Sequence, residues 1–290
     1  GLMLPLYACD TNRRNAEEGG DTPADTTATR QQQGSALEAF GIQLWTVKEH
    51  MAKDPRETLR QLASYGYTQI ESFEGQQGMF WGMSNREFKS YMDELNMALV
   101  ASHCNVKEGL EAKAAQAAEI GMAYLIDPYE GAQKSLDDYR RMADRFNQYG
   151  EICRKNGLRF AYHNHEYTFV EQEGQIPQNI LLENTDPALV DFELDMYWIG
   201  VGGMDAAQHL QEHKGRYKLG HVKDRLRDAA PDEKNASTEL GTGSVNYSSL
   251  LAQAKASGME YFFVEQERFD AGTSLQSSEK NAAFMKSLRI

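Results

Sequence analysis

The chain has 290 residues, 41% hydrophobic and 25% charged, and it contains no apolar run of the roughly 18 residues that a membrane span needs. Thirty Lys and Arg against 43 Asp and Glu give a net charge of −13, which would repel a phosphate backbone and argues against a nucleic-acid partner. Three scattered cysteines, Cys9, Cys104 and Cys153, are too few for a disulfide framework or a structural zinc site.

Residues 1–36 differ in composition from the rest of the chain. Residues 10–36 have almost no large apolar side chains, so burial cannot offset the entropy of ordering them, and they predict a flexible tether. Before them, Leu6-Tyr7-Ala8-Cys9 resembles a bacterial lipobox, in which a small residue precedes a lipidated cysteine. A lipid anchor at Cys9 predicts an extracytoplasmic protein, periplasmic or lipid-anchored. If Cys9 is an incidental thiol, the protein is expected to be cytoplasmic.

Residues 37–290 form the predicted main domain, in which apolar segments alternate with helical patterns. The apolar segments are nearly continuous rather than alternating, as expected of parallel strands that are covered on both faces. Eight strands are predicted, at residues 40–46, 68–73, 98–102, 124–127, 159–163, 189–195, 218–223 and 261–265.

Helix signals lie between the predicted strands. Asp54-Pro55 is typical of an N-cap followed by proline at the first helical position, and Ser84 to Glu87 has the pattern of a capping box. A long helix is predicted at 135–156, ended by Gly157. Shorter helices are predicted at 204–213, 247–256 and 282–288.

Eight strand–helix units in this length predict a single-domain (β/α)8 TIM barrel. An open, doubly wound sheet is the structural alternative, but it usually has fewer strands. No Gly-x-Gly-x-x-Gly follows the first strand and no phosphate-binding loop is present, so nucleotide chemistry is not expected.

Titratable side chains collect at the carboxyl ends of the predicted strands, where barrel enzymes place their chemistry. Four of the 7 histidines lie there. An isolated strand histidine is more often a hydrogen-bonded core residue, but several converging on one barrel mouth favour a functional site. The side chains at strand ends are Glu71, Glu74, His103, Asp127, His163, His165, Asp195, His221, Lys223, Glu265 and Glu267.

Two imidazoles and two carboxylates in this set, His163, Asp195, His221 and Glu265, predict a divalent metal site. Imidazole ligands suit Mn²⁺, Zn²⁺, Co²⁺ or Fe²⁺ and argue against Ca²⁺, while Mg²⁺ stays open. The spacing of His163 and His165 puts both rings on one strand face, so either one could be the ligand. An internal ion-pair network is the alternative to a metal.

Two hydrolase classes fit these residues less well. No Gly-x-Ser-x-Gly elbow is present, which argues against a serine hydrolase. Asp195 and Glu265 could form the acid and base of a glycosidase, but such chemistry does not require the surrounding histidines.

Four stretches of the chain resemble the xylose-isomerase-like TIM barrel superfamily, the sugar phosphate isomerase/epimerase group of AP endonuclease family 2 type. They are Tyr162-His-Asn-His165, Leu194-Asp-Met-Tyr-Trp-Ile-Gly-Val-Gly-Gly203, His221-Val-Lys-Asp224 with Leu240-Gly-Thr-Gly-Ser-Val-Asn246, and Phe263-Val-Glu-Gln266. The resemblance covers residues 40–288, and the Tyr-His-Asn-His stretch indicates a subgroup.

The resemblance implies one divalent metal held by residues of strands five to eight. Asp195, His221 and Glu265 match three of the family's ligand positions. At the family's ligand position on strand five, many members have Glu-Asn-His, whereas this chain has His163-Asn-His165. The family's two-glutamate epimerase mechanism is therefore not available. Glu166 stands near a position that is often acidic in the subgroup.

The predicted function is a metal-dependent sugar isomerase or epimerase that acts beside a carbonyl through an enediolate. Glu265 is the predicted base, with His165, Lys223 and His103 as candidates for the second proton transfer. Trp45, Trp81, Trp198 and Glu71 are the predicted substrate contacts. An extracytoplasmic keto-glycoside lyase or hydratase and a non-catalytic sugar-binding barrel are the alternatives. The expected partner is a small carbohydrate, and a homo-oligomer is left open; the acidic charge disfavours the family's endonuclease branch.

Overall fold

The structure, a computed structural model, describes residues 34–290, in which eight parallel strands close into a barrel. The predicted TIM barrel is therefore confirmed over the open sheet. Two further short strands, β8 and β9, form a separate antiparallel ribbon. In chain order the strands are Gly41–Gln43 (β1), Gln69–Phe73 (β2), Ala98–His103 (β3), Tyr124–Asp127 (β4), Arg159–His163 (β5), Val190–Asp195 (β6), Tyr217–Val222 (β7), Asp224–Arg225 (β8), Ser237–Thr238 (β9) and Tyr261–Val264 (β10).

Helices follow the barrel strands and pack around them. The predicted caps are present: the Asp54 side chain accepts a hydrogen bond from the Glu57 amide at 3.0 Å, and Ser84 and Glu87 form the capping box. The helices are Lys48–Lys53 (α1), Pro55–Tyr65 (α2), Asn85–Glu94 (α3), Leu110–Glu119 (α4), Leu136–Lys155 (α5), Pro177–Asn184 (α6), Met196–Val201 (α7), Ala206–Glu212 (α8), Tyr247–Ala256 (α9) and Ser274–Ser287 (α10), with 3₁₀ turns at Leu44–Val47 and Glu166–Phe169.

Two element boundaries differ from the prediction by more than two residues. The first strand ends at Gln43, because the Gln43 side chain accepts a hydrogen bond from the Trp45 amide and starts a 3₁₀ turn there. The last helix begins at Ser274 rather than at 282, because Thr273 and Gln276 form a capping box. Helices α1, α4, α6 and α7 were not predicted. Three of these four have eight residues or fewer, which is too short for a clear apolar repeat.

The interior of the barrel is built in layers. Inward-facing residues two positions apart change from apolar to polar towards the carboxyl ends of the strands, as Ala161 and His163, and Leu219 and His221, illustrate. The lower layer is an apolar cluster of Val100, Ala101, Tyr124, Ile126, Ala161, Leu219 and Phe263. Gly41 in β1 leaves room for it, because a Cβ there would lie 2.5 Å from the Phe263 ring. The polar layer therefore rests on a packed floor.

Residues 34–36, which the sequence analysis placed in the tether, pair with the carboxyl terminus. The amide of Ser35 donates to the carbonyl of Ile290 at 3.0 Å, and the Ile290 amide donates back at 2.9 Å. The predictions for the preceding residues, including the lipobox at Cys9, lie outside the described part of the chain. No helix within residues 34–290 is long and apolar enough to cross a membrane.

Candidate metal centre

The carboxyl ends of four neighbouring strands bring His163, Asp195, His221 and Glu265 together. Asp195 and His221 are register partners in β6 and β7, and Glu265 follows β10. Asp195 Oδ2 lies 3.3 Å from His163 Nε2 and 3.4 Å from His221 Nδ1. Glu265 Oε2 lies 2.9 Å from the same Nδ1. All four predicted metal ligands thus meet in one buried group.

Asp195 is held in place by its backbone and by one of its two carboxylate oxygens. Its amide donates to Asn164 Oδ1 at 2.9 Å, which ties the ends of β5 and β6 together. Oδ1 caps helix α7 by accepting from the amides of Tyr197 and Trp198. Because Oδ1 is used in this way, Oδ2 is the oxygen directed at the two imidazoles.

The geometry of the four residues fits a divalent metal. Two ligands of a tetrahedral site, each about 2.0–2.1 Å from the metal, lie about 3.3 Å apart, close to the separations of Asp195 Oδ2 from the two imidazoles. His163 Nδ1 lies 3.2 Å from the Pro128 carbonyl and His221 Nε2 lies 2.6 Å from Glu71 Oε1. Such partners orient metal-binding histidines and leave the other ring nitrogen for the ion.

The charge states of His163, Asp195 and Glu265 also suit a cation, whereas the surrounding carboxylates outweigh burial and raise the pKa of His221, whose proton an ion would displace. Burial alone raises the pKa of the Asp195 carboxyl, but Lys223 and the neighbouring imidazoles outweigh it and hold that pKa well below its usual value. The pKa of Glu265 is likewise lowered, because Lys223 and His221 outweigh burial. Burial lowers the pKa of His163, so its ring is neutral at pH 7. Two carboxylates and a neutral imidazole are therefore available as ligands.

Lys223 stands beside the two acidic residues with its ammonium buried. Its Nζ donates to Glu267 Oε1 at 2.6 Å and lies 3.4 Å from Glu265 Oε2 and 3.7 Å from Asp195 Oδ2. Burial would lower the pKa of Lys223, but these carboxylates raise it well above its usual value. Lys223 is therefore a cation that is fully engaged by acidic side chains.

His165 lies next to His163 but has a different environment. Its ring lies between Tyr129 and Trp198, with centroid distances of 5.1 and 5.4 Å. Its Nδ1 has no hydrogen-bond partner within the described residues. Burial, and then the charge of His163, lower the pKa of His165 to about 3. His165 is thus a neutral base beside the four-residue group rather than a member of it.

A second polar group lies below the first and contains a residue that the sequence analysis did not single out. Glu193 precedes Asp195 by two positions in β6 and faces the same side of the strand. Its Oε2 lies 2.8 Å from His103 Nε2, and Glu71 Oε1 lies 3.2 Å from the same nitrogen. Strand β6 carries an acidic residue at every second position, Asp191, Glu193 and Asp195, and this alternation was the available sequence signal.

Above these groups lies a cavity of about 540 Å³. Of the predicted catalytic residues, His103, His165 and Glu265 line it, whereas Lys223 is buried and lines a separate, smaller pocket. Of the predicted substrate contacts, Trp45 and Trp198 line it. The other two, Trp81 and Glu71, lie outside its lining.

Trp81 and Glu71 do not line this cavity. Trp81 is buried, donates from its indole Nε1 to Ser72 Oγ at 3.0 Å and packs edge-on against Phe73. Its backbone has a φ of 54°, in the left-handed region. Glu71 is fully buried and contacts His221, His103 and the Gln43 amide group. The structure therefore places Trp81 in the packing behind the cavity wall and Glu71 in the polar layer below the cavity.

The comparisons with known proteins agree with this architecture. The model of the xylose isomerase-like TIM barrel family matches residues 59–288. An inosose dehydratase from Salmonella typhimurium is 27% identical over 167 residues, which are 52% of this chain and 55% of that protein. Another inosose dehydratase, from Lactiplantibacillus plantarum, is 30% identical over 148 residues, 47% of this chain and 48% of its own. The chain thus spans about half the length of these curated relatives.

Solved structures match over nearly the whole barrel. A sugar phosphate isomerase/epimerase from Parabacteroides distasonis is 25% identical with a TM-score of 0.73, covering 92% of this chain and 99% of its own. The IolI protein with a bound zinc atom has a TM-score of 0.70 at 14% identity, covering 86% and 98%. The 3-keto-D-glucoside 4-epimerase of E. coli has a TM-score of 0.62 at 15% identity, covering 88% and 98%. Because the family model matches residues 59–288, which are most of this chain, the chain belongs to the xylose isomerase-like TIM barrel family.

Proposed function

We propose that the protein is a divalent-metal-dependent sugar isomerase or epimerase that moves a proton on the carbon beside a carbonyl. The observation that carries the proposal is the convergence of His163, Asp195, His221 and Glu265 beneath an open cavity. These residues would hold the ion, with Mn²⁺, Zn²⁺ or Co²⁺ as the leading candidates and Mg²⁺ or Fe²⁺ as others. A bound divalent ion polarises a carbonyl and stabilises the negative charge of an enediolate.

The side chains around the cavity can both accept and supply protons. Glu265, held as a carboxylate, and His165, held neutral, are bases on the cavity side. Burial lowers the pKa of His103, but Glu71 and Glu193 outweigh it and raise that pKa to about 9, so this ring is an acid at pH 7. Proton transfer at carbon requires a base and an acid, and here the surroundings of these groups give them different pKa values.

The walls of the cavity support a sugar ring as ligand. Trp45 and Tyr129 are 39% and 60% exposed, and both line the cavity. Each is held edge-on by a neighbouring ring, Trp45 by Phe73 at 5.0 Å and Tyr129 by His165 at 5.1 Å. Lys48 Nζ covers one face of the Trp45 ring, 3.8 Å from its centroid, which leaves the opposite face of Trp45 and the ring of Tyr129 for the C–H groups of a carbohydrate.

The charges support an unphosphorylated substrate. The lysine that lines the cavity, Lys107, lies 3.1 Å from Glu130 Oε1. Lys223 is engaged by Glu265 and Glu267. Because both cations already have carboxylate partners, neither is free to bind a phosphate group. An extracytoplasmic location, inferred from the lipobox at Cys9, agrees with a substrate of this kind and is part of the proposal.

A keto-glycoside lyase or hydratase is the second candidate. Elimination of a group beside a carbonyl begins with the same proton removal, so the residues named above would serve it equally. It is favoured by the inosose dehydratases among the relatives and by exposed aromatic rings that suit a second ring or aglycone. A sugar-binding barrel without turnover is the third candidate.

The test is exchange of carbon-bound protons with solvent. Protein loaded with Mn²⁺, Co²⁺ or Zn²⁺ is incubated in D₂O with ketohexoses and with methyl 3-keto-D-glucoside, and loss of the proton signals beside the carbonyl is followed by NMR. We expect exchange in the wild type and a loss of about 100-fold or more in Glu265→Gln. Glu183→Gln, an exposed substitution on α6, is the matched control and is expected to behave as wild type.

The products assign the reaction class. A new sugar isomer supports the first candidate, and release of methanol or a dehydrated product supports the second. Sugar binding without exchange under any metal contradicts both and supports the sugar-binding barrel.

A further inference from the structure

Four side-chain atoms form a compact group inside the barrel, below the predicted metal ligands. They are Glu71 Oε1, His103 Nε2, Glu193 Oε2 and His221 Nε2, and we call them the interior cluster. Each imidazole nitrogen lies between two carboxylate oxygens: His103 at 3.2 and 2.8 Å, and His221 at 2.6 and 3.4 Å. All four residues are buried.

The backbone is irregular at both glutamates of the cluster. The pairing of β2 with β3 shifts register between Ile70 and Glu71, and the pairing of β6 with β7 shifts between Phe192 and Glu193. These are the register shifts found among the barrel strands of the described chain. Such irregularities are frequent beside functional sites, where they redirect a side chain. Here they accompany the two residues that bring carboxylates into the interior.

Each of the two glutamates retains one oxygen without a partner. Glu71 Oε2 and Glu193 Oε1 are buried and accept no hydrogen bond from the described residues. The Gln43 amide donates to Glu71 Oε1, the oxygen that already faces the imidazoles. A buried carboxylate oxygen without a donor is costly, and two of them in one cluster leave two acceptor positions open. A divalent cation bound there would displace the proton that His103 otherwise carries.

We propose that the interior cluster is a second cation site, bound through Glu71, His103 and Glu193. The His103 nitrogen lies 3.2 and 2.8 Å from the two carboxylate oxygens, which approaches the spacing of about 3.3 Å between ligands of a tetrahedral zinc ion. This mixed donor set suits zinc and its first-row neighbours. The site is distinct from the group around Asp195 and does not depend on which reaction the protein catalyses.

His221 stands between the two sites and serves each with a different atom. Its Nδ1 faces Asp195 and Glu265, and its Nε2 faces Glu71 and Glu193. With a ligand bond at Nδ1, the proton on Nε2 is donated to Glu71, and the interior ion keeps three protein ligands. Both sites can then be filled at once. His103 lines the cavity, so a cation reaches the interior cluster past that ring.

The experiment counts zinc ions per chain after equilibrium dialysis, by elemental analysis, with thermal unfolding measured in parallel. We expect two zinc ions in the wild type and one in Glu193→Gln, which preserves the shape of the side chain but removes its charge. Asp195→Asn is expected to retain the interior ion and lose the other. The exposed substitution Glu183→Gln is the matched control and should retain both.

A second variant covers failure of Glu193→Gln to fold: His103→Gln should also bind one ion. If the wild type and both interior variants each bind one ion with the same affinity, the interior site is overturned and the proposed function stands. The interior site is also overturned if the wild type binds one ion and Glu193→Gln only lowers the affinity for it, since Glu193 would then act only through His221. A single ion in the wild type that is lost in Glu193→Gln but retained in Asp195→Asn supports the interior site and counts against the proposed metal ligands.

Discussion

His163 and His165 stand edge to face, with ring centroids 5.0 Å apart and planes at 85°, and only His163 contacts the Asp195 carboxylate. His163 is fixed on its other side by the Pro128 carbonyl, at 3.2 Å from Nδ1. His165 lies among the aromatic rings of the cavity. The two histidines of one three-residue motif therefore have separate environments.

The first prediction separates their roles. His163→Ala is expected to lower the affinity for the ion near Asp195 by at least 10-fold, because it removes a ligand. His165→Ala should leave that affinity within about 3-fold of wild type but reduce proton exchange by roughly 100-fold, as expected for a lost acid or base. Zinc titration and exchange in D₂O measure the two effects. Equal losses of zinc affinity in both variants would contradict this assignment.

The second prediction concerns two tryptophans with different environments. Trp45 is 39% exposed at the cavity, whereas Trp81 is buried behind it. Trp45→Ala should weaken the binding of a phenyl glycoside several-fold and change the free energy of unfolding by less than about 1 kcal/mol. Trp81→Ala should cost about 3–5 kcal/mol, as large-to-small core changes do. Urea unfolding and calorimetric titration test both; a stability loss in Trp45→Ala as large as that in Trp81→Ala would refute the distinction.

The third prediction is a pH dependence away from the metal centre. Burial, and then the charge of His213, lower the pKa of His209 to about 3, while its usual value is about 6.5. The unfolded chain therefore binds one more proton than the folded chain between those values, so stability falls as the pH drops below about 6.5. The slope from this residue is at most about 1.4 kcal/mol per pH unit.

His209→Gln should remove that contribution. Denaturant unfolding of both proteins from pH 8 to pH 4 gives the difference curve, which should be flat above pH 7 and move in favour of the variant below pH 6. Parallel curves for the two proteins over the whole range would show that His209 is not neutral in the folded state.

The fourth prediction concerns the loop after β9. The two oxygens of Asp224 accept hydrogen bonds from the amides of Gly241, Gly243 and Val245, at 3.0 to 3.1 Å. Asp224→Ala leaves these three amides without an acceptor and should lower the free energy of unfolding by about 3 kcal/mol or more. Asp228→Ala, at an exposed position, is the matched control. A loss below about 1 kcal/mol in Asp224→Ala would mean that the loop is held by other contacts.

Much of the barrel could be predicted because its signals are local. Apolar runs, caps and stop residues act within a few positions, and the predicted strands 124–127 and 159–163 match β4 and β5 at both ends. Four polar residues at successive strand ends also had to meet once the sheet closed, since the carboxyl ends of parallel strands share one edge. For this reason His163, Asp195, His221 and Glu265 could be grouped before their geometry was known.

Other features depend on contacts between distant parts of the chain. Trp81 lies in a glycine-rich segment typical of an exposed loop, yet it packs on Phe73 and is buried. The hydrogen bond between Glu71 and His221 joins residues that are 150 positions apart in the chain. The local sequence determined which strands form and which polar residues stand at their ends. Which oxygen faces which imidazole was determined by barrel closure and by the register shifts at Glu71 and Glu193, because strand register is set by packing across the whole sheet.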